Sequence, residues 1–381
     1  MIEVTSNRSK FRARARVSTS RRRFSLSYGE TVFRPFHTGL SDHSFLIYPA
    51  TDETIARAAS LIASGQLIGM PTETVYGLAA NAWDAVAVRK IFEVKSRPPT
   101  NPLIVHVAGV SRLADAIAWP PSGVVRRQLD AVIDLWPGPL TIVCDRSVKI
   151  PDEVTASQGT VAVRIPAHDV AIALLEACPF PLAAPSANRS KYISPTKPEH
   201  LYGPSGIGEA IAMVLDGGAC QWGVESTILR LGEPGPKLLR PGAISLHELA
   251  ERLGVTPLSM LIDTSHDEAL LEAPGMMREH YSPSTRLELL ESHAKLHIPA
   301  NIRAGRIAFQ PLAPNDQERY QIVEILSYTG NLEEIAHHLF SALRKLDLEN
   351  LDVIHCDTCE PIGMGHAIMD RLNRAAARFQ G

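Results

Sequence analysis

The chain has 381 residues, of which 45% are apolar and 21% are charged. This length and composition predict two or three domains with hydrophobic cores and exclude a chain that is disordered throughout. The 38 Lys and Arg residues against 41 Asp and Glu residues give a net charge of -3, which excludes a protein that coats nucleic acid with a wholly basic surface. No apolar run approaches the roughly 18 residues of a membrane span, and the chain begins without the apolar core of a secretory signal. We therefore expect a soluble, intracellular protein.

Residues 1–44 differ in charge from the rest of the chain. They contain nine Lys or Arg residues and three acids, so the remainder carries about -9. An Arg- and Ser-rich, acid-poor leader is typical of an organelle transit peptide, but a mobile basic arm and an extended gene start explain it equally well. We predict a basic, flexible N-terminal extension and a cytoplasmic location, with an organelle as the alternative if the segment is a transit peptide.

Regular elements begin at Thr51, which is the predicted N-cap of a helix that ends before Gly65. Short apolar runs then alternate with helical stretches as far as residue 254, which indicates an α/β domain with a mixed, twisted sheet. The predicted strands are 67–70, 103–107, 140–144, 160–165, 213–215, 227–231 and 237–239. The predicted helices are 85–94, 124–135 and 246–253.

Residues 255–285 lose this regularity and contain Pro257, Pro274, Gly275 and Pro283, which is typical of an interdomain linker. A smaller α/β domain follows over 286–381. Its predicted strands are 306–309, 322–326 and 351–355, and its helices are 332–346 and one that begins near Ala367.

Common catalytic and nucleotide-binding signatures are missing, including GxxxxGK[ST], a complete GxGxxG, HExxH and GxSxG. The five cysteines are an odd, scattered set, which favours reduced thiols over a disulfide framework. Cys356 and Cys359 form a lone CxxC without the second pair that a zinc site needs. Two thiols at a strand end are the better interpretation.

Polar clusters follow several predicted strands, where α/β sheets bind ligands. PTETVYGL at 71–78 offers three hydroxyls and a carboxylate, and it is equally well explained as a capped turn leading into the next helix. Lys95 and Arg97 lie two apart in a loop stiffened by prolines, an arrangement that suits polyphosphate better than a solvated charge pair. Arg164 ends an apolar strand, so it is expected to meet a carboxylate, either internal or on a ligand.

Six motifs in order give a family resemblance over residues 50–381. They are PTETVYGL, the KxR at 95–97 followed by NPLIVHV, SAN at 186–188, VEST at 224–227, LRPG at 239–242 and HYSP at 280–283. In this order and spacing they resemble the YrdC-like threonylcarbamoyl-AMP synthases, in their long, two-domain form. The resemblance implies a YrdC-like twisted, mixed open sheet with a concave ligand cleft over 45–254, a linker or lid over 255–285, and a Rossmann-like C-terminal α/β domain over 286–381.

The family makes L-threonylcarbamoyl-AMP from L-threonine, bicarbonate or CO2, and ATP, and releases pyrophosphate. The product serves the modification of the tRNA adenosine next to the anticodon, through a partner complex. The resemblance implies that Lys95 and Arg97 are catalytic, and that no residue is a dedicated metal ligand. It implies a threonine site of Thr74, His106, Arg164, Ala184 and Ser226, and ATP contacts from Lys95, Arg97, Asn101, Thr160, Ser186, Ser194, Arg240 and Tyr281.

This chemistry needs no protein nucleophile. Threonine adds to CO2, and the resulting carbamate oxygen attacks the α-phosphorus of ATP. The protein must align the reactants and neutralise charge. Mg2+ is expected on the ATP phosphates. Two alternatives stay open. One is an RNA-binding YrdC-like module without synthase activity, with weak tRNA contact. The other is a carbamoyltransferase, although the paired CxxC spacing of such enzymes is missing.

Overall fold

The computed structural model describes residues 46–121, 123–261, 273–290 and 298–380. The predicted basic extension at 1–44 and residues 262–272 of the predicted linker lie outside the described residues. Within these ranges, no helix is both long enough and apolar enough to cross a membrane.

Ten strands form the larger sheet, in the order β1-β8-β2-β3-β7-β4-β6-β5-β9-β10. Parallel and antiparallel pairs alternate irregularly along it, so the predicted mixed sheet is confirmed. The strands are β1 Ile47–Pro49, β2 Ile68–Met70, β3 Gly77–Asn81, β4 Ile104–His106, β5 Leu140–Asp145, β6 Thr160–Arg164, β7 Leu182–Ala183, β8 Met213–Asp216, β9 Thr227–Arg230 and β10 Lys237–Arg240.

Seven α-helices accompany this sheet among the described residues. They are α1 Asp52–Ala63, α2 Ala85–Lys95, α3 Gly123–Val132, α4 Asp152–Thr155, α5 Asp169–Ala177, α6 Leu246–Leu253 and α7 Pro257–Met260. Short 3-10 turns occupy Val110–Asp115, Ile133–Leu135, Pro198–Leu201 and Gly208–Ala210. Thr51 caps α1 as predicted, because its hydroxyl accepts a hydrogen bond from the Thr54 amide.

The second sheet has four parallel strands in the order β11-β14-β12-β13. Its elements are β11 Arg286–Leu290, β12 Ala304–Ala308, α8 Pro314–Gln317, β13 Ile322–Ile325, α9 Leu332–Asp347, β14 Val353–Asp357 and α10 Gly365–Ala377. A second, smaller α/β unit is therefore confirmed. Cys356 and Cys359 at the end of β14 are free thiols, and burial raises the pKa of both, which keeps them protonated.

One apolar cluster joins the two sheets, besides the clusters that belong to the larger sheet alone. Phe340 of α9 and Ile368 of α10 belong to the same buried cluster as Val75, Ile193 and Val224 of the larger unit. Burying these side chains together removes apolar surface of both units from water. The second unit therefore packs against the segments that follow β2 and precede β9.

Some elements differ from the sequence predictions. The PTETVYGL segment leads into strand β3, so its interpretation as a turn before the next helix is wrong. Strands β1, β3, β7 and β11 and helices α4, α5, α7 and α8 were not predicted. The strands β1 and β7 have three and two residues, too few to show an alternating pattern.

Candidate active site

A cavity lies where strands of the larger sheet end. Its walls come from the turn after β2, from β4, from the ends of β6 and β10, from the segments after β7 and before β9, and from residues 274–281. Ligands of α/β sheets bind in this kind of crevice, because polar loops converge there above the buried strands.

The turn after β2 is locked by its own hydroxyl. Thr72 Oγ1 accepts hydrogen bonds from the amides of Thr74 and Val75, both at 3.2 Å, and donates to the Val75 carbonyl at 2.6 Å. This fixes Thr74 so that its Oγ1 accepts a hydrogen bond from Arg164 Nη1 at 2.8 Å.

Arg164 meets an internal carboxylate, one of the two partners predicted for it. Its Nη2 lies 2.6 Å from Glu73 Oε1, and both side chains are almost fully buried. Its Nε donates to the Gly138 carbonyl at 3.2 Å. A guanidinium has five N–H donors. Only two of them form hydrogen bonds here, since the ion pair with Glu73 is close but leaves Nη2 without a hydrogen bond among the described residues, so Arg164 keeps donors for a second carboxylate.

His106 lies beside Arg164, because β4 and β6 are parallel and their register pairs the two residues. Its Nδ1 is buried without a hydrogen-bond partner among the described residues. Burial, aided by the charge of Arg164, lowers the pKa of His106 to about 3. The imidazole is therefore neutral near pH 7, and it can exchange a hydrogen bond with a ligand without adding charge.

Arg97 and Lys95 face inward on either side of a left-handed residue. Helix α2 ends at Lys95, and Ser96 turns the chain with φ of 50°. Arg97 donates to the Asn101 carbonyl at 3.0 Å, the Asn101 side chain at 2.6 Å and the Pro102 carbonyl at 2.7 Å. Lys95 Nζ donates to the carbonyls of Ser186 and Asn188.

Arg240 is the third buried cation at this end. It donates to the Ser226 carbonyl and hydroxyl, both at 3.1 Å, and to the Pro274 carbonyl at 3.2 Å. Among the described residues, Lys95, Arg97 and Arg240 form no ion pair with a carboxylate. Burial lowers the pKa of all three, that of Arg97 to about 9. Buried cations whose partners are only neutral groups make this end of the cavity a site for an anion.

Residues 274–281 cover the cavity. His280 Nδ1 and Tyr281 Oη are both buried and without hydrogen-bond partners in the described part of the chain. Tyr281 has the left-handed φ of 64°. Gly275, with φ of 86°, allows the close approach, because a Cβ there would lie 2.8 Å from Tyr281 Oη. Unpaired polar atoms that converge on one cavity indicate a ligand that would satisfy them.

Glu225 joins this cavity to the second unit. Its Oε1 accepts a hydrogen bond from Ser194 Oγ at 2.5 Å. Its Oε2 accepts one from Arg371 Nε of α10 at 2.8 Å. Arg371 is fully buried, so this is an ion pair inside the interface between the two units.

Comparison with known proteins agrees with this geometry. A family model described as "Telomere recombination", which covers the Sua5, YciO and YrdC proteins, matches residues 60–242. The model of the threonylcarbamoyl-AMP synthase C-terminal domain matches residues 244–377. The threonylcarbamoyl-AMP synthase of Pyrococcus abyssi is 38% identical over 84% of this chain and 93% of that protein. The chain belongs to the threonylcarbamoyl-AMP synthase family.

Two further relatives of this family agree. The synthase of Bacillus subtilis is 36% identical over 85% of this chain and 93% of its own length. The crystal structure of Pyrococcus abyssi Sua5 complexed with L-threonine is 34% identical, with a TM-score of 0.75 over 87% of this chain and 97% of that one. The likeness therefore includes both sheets.

Nine residues that the family resemblance implied line this one cavity: Thr74, Arg97, His106, Arg164, Ala184, Ser186, Ser226, Arg240 and Tyr281. Lys95 and Asn101 lie behind the wall and support Ser186 and Arg97. Ser194 is held by Glu225. Thr160 begins β6, at the opposite end of the strand from Arg164, and is not part of the cavity wall.

The family resemblance did not predict four of the residues that line the cavity: Thr72, Glu225, Gly275 and His280. Glu225 and His280 lie inside the VEST and HYSP motifs, so the motifs themselves were the available signal. The sequence pattern of α10 also indicated that Arg371 is unusual. It interrupts the buried stripe of α10, between Ile368 and Leu372, where an arginine needs a buried partner.

The described residues offer no group of three or more His, Cys, Asp or Glu side chains that could hold a metal ion. Glu225 is the one acidic residue among the described residues that line the cavity. A divalent ion binds most strongly to several oxygen ligands. These residues therefore do not fit a metal site of their own for the synthase family reaction.

Proposed function

We propose that this chain makes L-threonylcarbamoyl-AMP and pyrophosphate from L-threonine, bicarbonate or CO2, and ATP, which makes it a nucleotidyltransferase. The observation that supports this most strongly is that Arg97 and Arg240 line one cavity without carboxylate partners, with Lys95 behind its wall. A polyphosphate supplies the charge that they lack. Arg164 and neutral His106 at the same cavity suit an amino acid.

Threonine would bind where Thr74, His106 and Arg164 meet. Spare N–H donors of Arg164 would take the α-carboxylate. His106 would exchange a hydrogen bond with a polar group of the amino acid. Ala184 and Ser226 complete this wall, and the small Ala184 side chain leaves room for the ligand.

ATP would bind with its phosphates toward Arg97 and Arg240. Ser186 lies in the wall beside them, and Tyr281 would close over the nucleotide. Lys95 holds the carbonyls of Ser186 and Asn188, so part of its action would be to shape that loop. The roles predicted for Asn101, Thr160 and Ser194 stay predictions.

The reaction needs only the substrates' own nucleophiles. The threonine amine adds to CO2, loses a proton and becomes a carbamate. A carbamate oxygen then attacks the α-phosphorus, and pyrophosphate leaves. Arg97 and Arg240 would stabilise the charge that develops on the phosphates, and the buried cavity would keep water from the carbamate and the mixed anhydride. Mg2+ would arrive on the ATP phosphates.

The wider setting follows from the product. Threonylcarbamoyl-AMP is an activated acyl donor, so we propose that it passes to a complex that modifies the tRNA adenosine next to the anticodon. We keep the division into 45–254, 255–285 and 286–381, the basic extension at 1–44 and a cytoplasmic location as proposals.

The test is pyrophosphate release from ATP by the purified chain. Release should require both L-threonine and bicarbonate, and L-serine should replace threonine poorly. Arg164→Lys, which loses the planar fork, should raise the KM for threonine at least tenfold. Arg126→Lys is the matched control, because Arg126 is half exposed, pairs with Asp130, lies over the Trp119 ring and is not a residue of the cavity wall.

A different result would point to the alternative. If the chain binds ATP without threonine-dependent release, the synthase proposal fails. An RNA affinity that falls steeply with salt and survives Arg164→Lys would then favour the RNA-binding module.

A further inference from the structure

Glu225 poses a problem for a cavity that should bind phosphate. Among the described residues of the cavity wall it is the one carboxylate, and its charge acts on Arg240. A carboxylate that could reach Arg240 would neutralise the guanidinium in place of a phosphate group. The structure shows Glu225 paired elsewhere, with Arg371.

Arg371 holds Glu225 with two contacts. Nε donates to Glu225 Oε2 at 2.8 Å, and Nη2 donates to the Glu225 backbone carbonyl at 3.4 Å. Nη1 donates to Asp370 Oδ2 at 2.6 Å. The guanidinium therefore donates hydrogen bonds to both the side chain and the main chain of Glu225. Because Arg371 has no exposed surface, no water competes for these contacts.

The same stretch of α10 also holds the segment that covers the cavity. The Arg371 guanidinium lies 5.2 Å from the centre of the Tyr281 ring. Arg374 Nη1 donates to the Met277 carbonyl at 2.5 Å, and the His280 amide donates to the Arg374 carbonyl at 3.3 Å. Arg371 thus touches both the carboxylate and the cover of the nucleotide end.

We infer that Arg371 of the second unit is a positioning residue, which withholds Glu225 from Arg240 and so keeps this cation available to the phosphates of ATP. This inference rests on the proposed function. It gives the second unit a specific task in nucleotide binding. It also explains why the cavity holds an acid without losing Arg240 as an unpaired cation.

The experiment measures the KM values for ATP and for threonine in Arg371→Met. The KM for ATP should rise at least tenfold, while the KM for threonine stays within threefold of the parent. In the double variant Arg371→Met, Glu225→Gln, the increase in log KM for ATP should be at most half of the increase in Arg371→Met, because the competing carboxylate is gone. A KM for ATP within threefold of the parent, or no recovery in the double variant, overturns the inference.

Arg306→Met is the matched control. Arg306 pairs with Asp357 inside the second sheet, so its loss also breaks an ion pair of the second unit but should leave the KM for ATP within twofold. A rise as large as that of Arg371→Met would mean that general damage to the unit is the cause, and would overturn the inference.

Two further measurements apply if Arg371→Met does not fold or if the parent chain shows no activity. If Arg371→Met does not fold, Arg371→Lys keeps a charge but loses the planar guanidinium whose separate nitrogens contact Glu225 and Asp370. It should raise the KM for ATP at least threefold, and a value within twofold overturns the inference. If the parent shows no synthase activity, the proposed function has failed, and calorimetric binding of ATP to the same variants still tests the role of Arg371, with the same expected ratios.

Discussion

Buried arginines at two places in this chain have opposite surroundings. In the cavity, Arg97 and Arg240 contact backbone carbonyls, an amide and a hydroxyl, and burial lowers the pKa of each. At the interface, Arg371 contacts two carboxylates. Burial alone would lower the pKa of Arg371, but Tyr281, Glu225 and Asp370 outweigh it and raise the pKa above its ordinary value.

This difference in partners distinguishes a role in ligand binding from a role in stabilising the fold. A buried cation with a carboxylate partner is already neutralised, so its removal leaves the partner unpaired and costs stability. A buried cation with only neutral partners is unfavourable in the free protein and gains when an anion arrives. The charge of the partners therefore distinguishes Arg97 and Arg240, which can take up an anion, from Arg371, whose charge is already balanced at the interface.

The largest expected effect is on the stability of the interface. Arg371→Met should lower the free energy of unfolding by about 3–5 kcal/mol, because Glu225 loses its buried ion pair, and turning toward Arg240 instead would disturb the contacts that Arg240 makes now. Urea unfolding measures this. The double variant Glu225→Gln, Arg371→Met should lose much less, and an equal loss in both would contradict the pairing argument.

Ligand binding should stabilise the cavity by a similar amount. ATP at about one hundred times its Kd should raise the free energy of unfolding by about 2.7 kcal/mol. Thermal unfolding with and without ATP measures this. Arg240→Met should remove most of the increase, whereas Arg306→Met, in the second sheet, should keep it. An unchanged increase in Arg240→Met would speak against the anion site.

Arg97→Met should separate activity from stability. We expect a loss of about 1.5–3 kcal/mol of charged hydrogen bonding, which lowers kcat/KM ten- to a hundredfold. The free energy of unfolding should stay level or rise, since an unpaired buried cation is removed. Arg89→Met is the control, because Arg89 lies on helix α2 shortly before Arg97 but is half exposed and pairs with Glu153. If Arg97→Met lowered the free energy of unfolding and left kcat/KM unchanged, Arg97 would act in stability and not in ligand binding.

Two buried histidines predict a weaker effect of pH. Burial lowers the pKa of His106 in the cavity and of His200 near the interface to about 3. The unfolded chain, with a histidine pKa near 6.5, binds protons first as the pH falls, so stability is lost between about pH 6.5 and pH 3.

Each histidine should contribute a slope of up to about 1.4 kcal/mol per pH unit. His200→Gln should flatten the dependence measured by urea unfolding at a series of pH values, and the exposed His247→Gln should not. An unchanged slope in His200→Gln would show that this histidine does not contribute.

The sequence predicted the long, periodic elements well. Helix α6 was predicted at its observed bounds, and β5, β6 and β9 within one or two residues. The two-residue β7 is stable only because β3 and β4 lie on either side of it. A neighbour that is distant in the chain leaves no local pattern, so such a strand is recognised only in the folded sheet.

For the site, the motifs named most of the cavity wall, because each one places small or polar residues next to a strand. They did not indicate that Glu73 pairs with Arg164, nor that Glu225 pairs with Arg371. In the second pair, the two residues are 146 positions apart. Which carboxylate reaches which guanidinium depends on packing between separate elements.

By itself, the sequence of this protein determined its α/β class, its two units and the motifs of its ligand cavity, because periodicity, turn residues and local charge are properties of short segments. Only the tertiary structure decided which buried cations are paired and which are left for a ligand. That division depends on distances of a few ångströms between remote side chains and on their removal from water, and both arise only when the two sheets pack together.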